Sequence, residues 1–105
     1  MPDEGWVDLV PVDELEQGDL TPADHGGWRL AIYDAPDGIY VTDARCSHGG
    51  ADLCDGYFDG RLIECPLHQG CFDIRTGAAT GRPATKPIHT YEVRLQDGMV
   101  QIKAR

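Results

Sequence analysis

An all-β fold, an antiparallel sandwich or barrel, is predicted for this 105-residue sequence by three features. Short runs of alternating apolar and polar residues recur along the chain, as half-buried strands require. Turn sequences separate them, and thirteen Gly and seven Pro are many for this length. Helical periodicity is nearly absent.

The elements follow in order. Residues 6–10 read as a first strand. Residues 12–17 (VDELEQ) carry the main helical signal, one turn with Asp13 as its N-cap. Residues 28–33 (WRLAIY) alternate, with Trp28, Leu30 and Ile32 on one side. Trp6 and Trp28 are expected as core aromatics. Ala35-Pro36-Asp37-Gly38 is a turn sequence, and residues 39–42 form the returning strand. Residues 61–64 make a short strand after Asp59-Gly60, and residues 72–74 lead into the turn Arg75-Thr76-Gly77. Asp97-Gly98, between residues 90–95 and 99–103, predicts a hairpin. With no linker, repeat or low-complexity tract, residues 1–105 read as a single domain.

The charge balance narrows the function classes. The formal net charge is −9, with thirteen Asp against five Glu. An acidic surface repels nucleic acid and anionic lipid, so neither is an expected partner. It favours partners with basic faces and steers their encounter, or it serves solubility alone. No run approaches the roughly 20 apolar residues that span a bilayer. The start Met1-Pro2-Asp3-Glu4-Gly5 is acidic and has no apolar stretch of a secretory signal. The expected location is the cytoplasm, where thiols stay reduced, and there four Cys in a short chain suggest metal binding before disulfides.

Two stretches, residues 46–57 and 65–71, break the strand pattern, and both carry Cys and His. One opens with Cys46-Ser47-His48 and the other with Cys65-Pro66-Leu67-His68, with sixteen residues between His48 and Cys65. Thiolates hold ferric iron strongly, whereas imidazole is a good ligand for ferrous iron. Two Cys on one iron and two His on the other make an asymmetric [2Fe–2S] centre. Such a centre is formally neutral when oxidised, so it accepts an electron more readily than an all-thiolate cluster. Its potential falls at roughly −150 to +300 mV. A pair of ligands one or two residues apart lets one tight loop serve both irons, and two such loops clamp the cluster. Pro66 stiffens the second loop, and Gly49, Gly50 and Gly70 permit close backbone approach. The same Cys₂His₂ set suits zinc, although zinc sites commonly use paired-Cys spacing, so a zinc-stabilised binding module stays open.

The boxes CSHGGADLCDG from position 46 and ECPLHQGCFDIRTG from position 64 resemble those of Rieske proteins. The resemblance covers almost the whole chain and includes Gly81-Arg82-Pro83-Ala84-Thr85-Lys86-Pro87, a Pro-bearing segment that covers the cluster in that family. It implies a small Rieske β-fold with two cluster-binding loops at one tip. One [2Fe–2S] cluster would be held by Cys46, His48, Cys65 and His68, with the imidazole edges facing partners. No catalytic residue is implied.

Departures from other Rieske branches narrow the resemblance. Respiratory Rieske proteins carry a disulfide across the boxes, and the matching positions here hold Ala51 and Leu67. That branch also places Ser and Tyr donors near the cluster where this chain has Gly70 and Phe72. Fewer donors imply a potential near the lower end of the range. Terminal Rieske oxygenases add a domain with mononuclear iron, and only His25 and His89 are left over here. The chain resembles the free-standing ferredoxin components of bacterial aromatic-ring-hydroxylating dioxygenase systems. This implies a one-electron carrier, not an enzyme, whose partners are an NADH-dependent flavoprotein ferredoxin reductase and a terminal Rieske oxygenase; a monomer is the default expectation. The small Rieske subunit of an assimilatory nitrite reductase and the ferredoxin of a di-iron monooxygenase remain alternatives.

Other reactive side chains have plainer readings. Cys54 and Cys71 are expected as small buried thiols. His25 is expected at the surface of a turn, and His89 in a structural role. Arg82 and Lys86 flank the Pro segment, either as partner contacts or as solvated charges.

Overall fold

The computed structural model describes residues 5–45, 51–66, 70–81 and 86–103. The strands are β1 (Trp6–Pro11), β2 (Leu20–His25), β3 (Trp28–Ala35), β4 (Gly38–Asp43), β5 (Tyr57–Phe58), β6 (Leu62–Glu64), β7 (Cys71–Asp73), β8 (Ala79–Gly81), β9 (Thr90–Tyr91), β10 (Val93–Gln96) and β11 (Met99–Lys103). They form three antiparallel sheets in the orders β1-β11-β10, β2-β3-β4-β9 and β5-β6-β7-β8. The all-β antiparallel reading is borne out.

The middle sheet separates two cores. On one side Leu30, Ile32 and Val41 meet Val100 and Ile102 of β11. On the other, Ala31, Tyr33 and Ala35 meet Phe58, Ile63, Phe72 and Ile74. Successive side chains of a strand point to opposite faces, so β3 feeds both cores and is buried on each. The Tyr33 ring packs 5.1 Å from Phe58. Its hydroxyl lies 3.0 Å from Thr42 Oγ1, which itself donates to the Asp43 carbonyl. Tyr33 is therefore the donor of that pair. Burial raises its pKa.

Several strands differ from the sequence reading. Trp28 is not a core aromatic: it is half exposed, because β3 leaves the sandwich at this end. Trp6 is only partly covered, with the Arg94 guanidinium over its ring at 4.5 Å. β2 contains Pro22, which hides its strand character in sequence; it is an edge strand, where a missing N–H is tolerated. His25 ends β2, paired with Trp28 and half-buried, and the two-residue turn is Gly26-Gly27. Both glycines have positive φ, as a tight hairpin of this kind requires. Residues 12–14 form a 3-10 turn whose cap is Pro11, so Asp13 lies inside the turn and does not cap it. The run 90–95 breaks at Glu92, where β9 pairs with β4 and β10 with β11. Asp97-Gly98 does form the expected hairpin, with Gln96 opposite Met99.

Candidate metal centre

The third sheet roots the second Cys/His loop at one end. β6 and β7 pair up to Glu64 and Cys71, and the Cys65 amide then donates to the Gly70 carbonyl at 2.6 Å. This closes the second Cys/His loop. Cys65 itself is buried at 1% exposure, in the core with Leu53, Ala44 and Phe72. Cys71 also pairs with Gly81, so β8 ends beside this root.

The first loop is closed by a separate set of bonds. Arg45 forms a β-bridge with Asp52, and the Leu53 amide donates to the Ala44 carbonyl at 2.6 Å. Asp52 Oδ1 accepts the Cys54 amide at 2.9 Å and caps a 3-10 turn, Leu53–Asp55. Asp52 Oδ2 accepts Arg29 Nε at 3.1 Å. Burial pushes the Asp52 carboxyl up, but the Cys54 amide and the Arg29 guanidinium outweigh it and hold it below the ordinary value.

The two roots meet. After the 3-10 turn the chain reaches Gly56, where a Cβ would lie 2.0 Å from the Glu64 carbonyl oxygen. Only glycine lets the stem of the first loop lie this close to the residue before Cys65.

Of the expected ligands, Cys46, His48 and His68 lie outside the described residues, as does Arg82. Cys65 stands at the root of its loop. Among the described residues no group of three or more His, Cys, Asp or Glu is placed to hold a metal ion. What is described fits a [2Fe–2S] cluster: a buried thiol at the base of one loop and a second loop stem packed beside it.

The remaining cysteines are half-buried, less enclosed than expected. Cys54 donates weakly to the Leu30 carbonyl at 3.7 Å, and burial, with help from Asp52, pushes its thiol up to about 12. Burial also raises the Cys71 thiol, followed by the charge of Glu64. His89 is exposed, with its ring edge-on to Tyr91 at 4.6 Å. Its carbonyl accepts the Asp43 amide at 2.9 Å, and Tyr91 donates to Asp43 Oδ1 at 2.6 Å. Sequence reasoning missed Arg29 and Asp52. The capping pattern at Asp52 was readable, but nothing local announces that Arg29, 23 residues away, reaches it.

The chain matches the model of the Rieske [2Fe-2S] domain over residues 5–92, and it belongs to that family of cluster-bearing proteins. It is 42% identical over 100 residues to the ferredoxin component of the naphthalene 1,2-dioxygenase/salicylate 5-hydroxylase systems of Ralstonia sp, covering 95% of this chain and 96% of that one. Its fold matches the ferredoxin of Sphingomonas yanoikuyae B1 with a TM-score of 0.88 at 42% identity, covering 94% and 98% of the two chains. A chain in the complex of reduced oxygenase and oxidized ferredoxin of carbazole 1,9a-dioxygenase also matches, with a TM-score of 0.88 at 32% identity, covering 97% of this chain and 95% of that one. No helix among the described residues is long and apolar enough to cross a membrane.

Proposed function

We propose that this chain is a one-electron carrier between an NADH-dependent flavoprotein ferredoxin reductase and a terminal aromatic-ring dioxygenase. The observation that carries the reading is the near end-to-end match to a ferredoxin component of such a system. It works in the cytoplasm as a monomer, folded as one domain, and performs no chemistry on the aromatic substrate. When bound, the cluster supplies a centre that gains and loses a single electron. Cys46 and Cys65 hold one iron, and His48 and His68 hold the other.

The chain's own residues supply position and charge. The bonds from Cys65 to Gly70 and from Leu53 to Ala44 fix the loop roots, so little rearrangement accompanies a change of charge. The net charge of −9 steers basic partner faces toward the molecule.

The test is reconstitution. NADH, a flavoprotein reductase, this protein and a terminal oxygenase are mixed, and aromatic diol is measured with each component omitted in turn. The expected result is product only from the full mixture, at a rate that falls with added salt. Unchanged product without this chain overturns the carrier role. Stable co-purification with a sirohaem subunit favours the nitrite reductase reading.

A further inference from the structure

Arg29 touches both stems of the first ligand loop. Its carbonyl accepts the Ala44 amide at 2.9 Å, on the stem that enters the loop. Its guanidinium Nε donates to Asp52 Oδ2 at 3.1 Å, on the stem that leaves it. Ala44 stands two residues before Cys46, and Asp52 stands four after His48. A solvent-open pocket of about 230 Å³ beside the stems is lined by Arg29, Ala44, Arg45, Ala51 and Asp52. Ala44 and Leu53 pack together in the core, and the Arg29–Asp52 contact ties the stems nearer the surface.

The Arg29 and Asp52 side chains are 45% and 32% exposed. An ion pair so open to water adds little to global stability. Its use lies in its place. A second contact, from Arg29 Nη1 to Asp24 at 3.5 Å, aims the guanidinium from the other side.

We infer that Arg29 is a positioning residue for the loop that carries Cys46 and His48, and that the Arg29–Asp52 pair sets the local charge at that loop. The inference rests on the ligand reading proposed above. Losing the Arg29 charge leaves the Asp52 carboxylate unbalanced, which disfavours an added electron nearby. Losing the Asp52 charge leaves the guanidinium unbalanced, which favours one. A stem that was only loosened would have no reason to respond with opposite signs.

The test compares cluster-loaded wild type with Arg29→Gln, Arg29→Lys, Asp52→Asn and the double variant Arg29→Gln/Asp52→Asn. Loss of visible absorption under a chelator, exchange of the Leu53 amide and reduction potential are measured. Arg29→Gln is expected to bleach about fivefold faster, from a lost charged hydrogen bond, and Arg29→Lys to recover part of this. The Leu53 amide exchanges faster in Arg29→Gln. The potential falls in Arg29→Gln, rises in Asp52→Asn and returns near wild type in the double variant.

If both single variants shift the potential the same way, or if Arg29→Gln bleaches and exchanges like wild type, the inference is overturned while the ligand reading stands. If Arg29→Gln fails to load, Asp52→Asn carries the test: a raised potential with faster bleaching supports the inference, and an unchanged or lowered potential overturns it. A wild-type protein that holds zinc overturns the ligand reading and the inference together.

Discussion

The Arg75 guanidinium grips the Asp37 carboxylate through two hydrogen bonds, Nε to Oδ2 at 3.1 Å and Nη2 to Oδ1 at 2.7 Å. The pair ties the turn after β7 to the turn between β3 and β4. Tyr40 lies under the guanidinium at 5.1 Å and donates its hydroxyl to the same carboxylate at 3.1 Å. By strand direction this contact is at the end opposite the loop roots. Charged pairs thus stand at both ends of the middle sheet, Arg75–Asp37 here and Arg29–Asp52 at the loop stems.

Arg75→Ala is expected to lower the thermal midpoint, by less than a core truncation would. The hydrogen bond from Arg75 holds the Asp37 carboxyl below its ordinary value. A carboxyl depressed in the folded state contributes stability above its unfolded pKa and loses it as pH falls through the folded value. The gap between wild type and Arg75→Ala should therefore be full at neutral pH and narrow below about pH 4. Thermal melts across that range check it, and a gap that widens in acid contradicts it.

Cys54 gives a pH effect of the opposite kind. Its folded pKa is raised from 9.0 to about 12, so the folded chain keeps a proton that the unfolded chain gives up. This contribution is full below about pH 9 and is lost as pH rises from there toward the folded value. Denaturant midpoints at about pH 8 and about pH 10.5 should fall further for wild type than for Cys54→Ala. Cys54→Ser should leave the cluster in place, as its visible spectrum would report.

Gly77 sits at φ +79, and a Cβ there would lie 2.1 Å from the Ile88 carbonyl oxygen. Its own carbonyl accepts the Ile88 amide at 2.9 Å, so the contact cannot open without losing a bond. Gly77→Ala should cost about 2–4 kcal/mol, combining left-handed backbone strain with a backbone clash. At Gly56 the clash is with the Glu64 carbonyl, at 2.0 Å, and a similar loss should come with poorer cluster loading. Urea unfolding of both variants measures this, and wild-type stability in either would show that the backbone yields freely.

The antiparallel class, the Asp97-Gly98 hairpin and the Cys/His boxes were legible because each is written in neighbouring residues. β2 was not, since Pro22 reads as a break until the strand is known to lie at an edge. β5 and β8, of two and three residues, are too short to show a period. Trp28 looked like core because alternation alone does not say where a strand leaves the sandwich. At the site, Cys65 and its loop were expected from spacing. The bracing by Arg29 and the tight approach of Gly56 to Glu64 depend on how separate strands meet, and no local pattern encodes that.

His48→Ala and His68→Ala should each abolish the Rieske spectrum, because the outer iron loses half of its protein ligands. Absorption and EPR spectra of the reduced variants report this. A variant with an unchanged spectrum removes its histidine from the ligand set.

Iron and acid-labile sulfide analysis of the purified wild-type protein, joined to an EPR spectrum after one-electron reduction, tests the central claim most directly. The account predicts two irons and two sulfides per chain and a rhombic signal from a centre with mixed Cys and His ligands. Zinc without sulfide, or iron whose reduced signal shows four thiolate ligands, would contradict it.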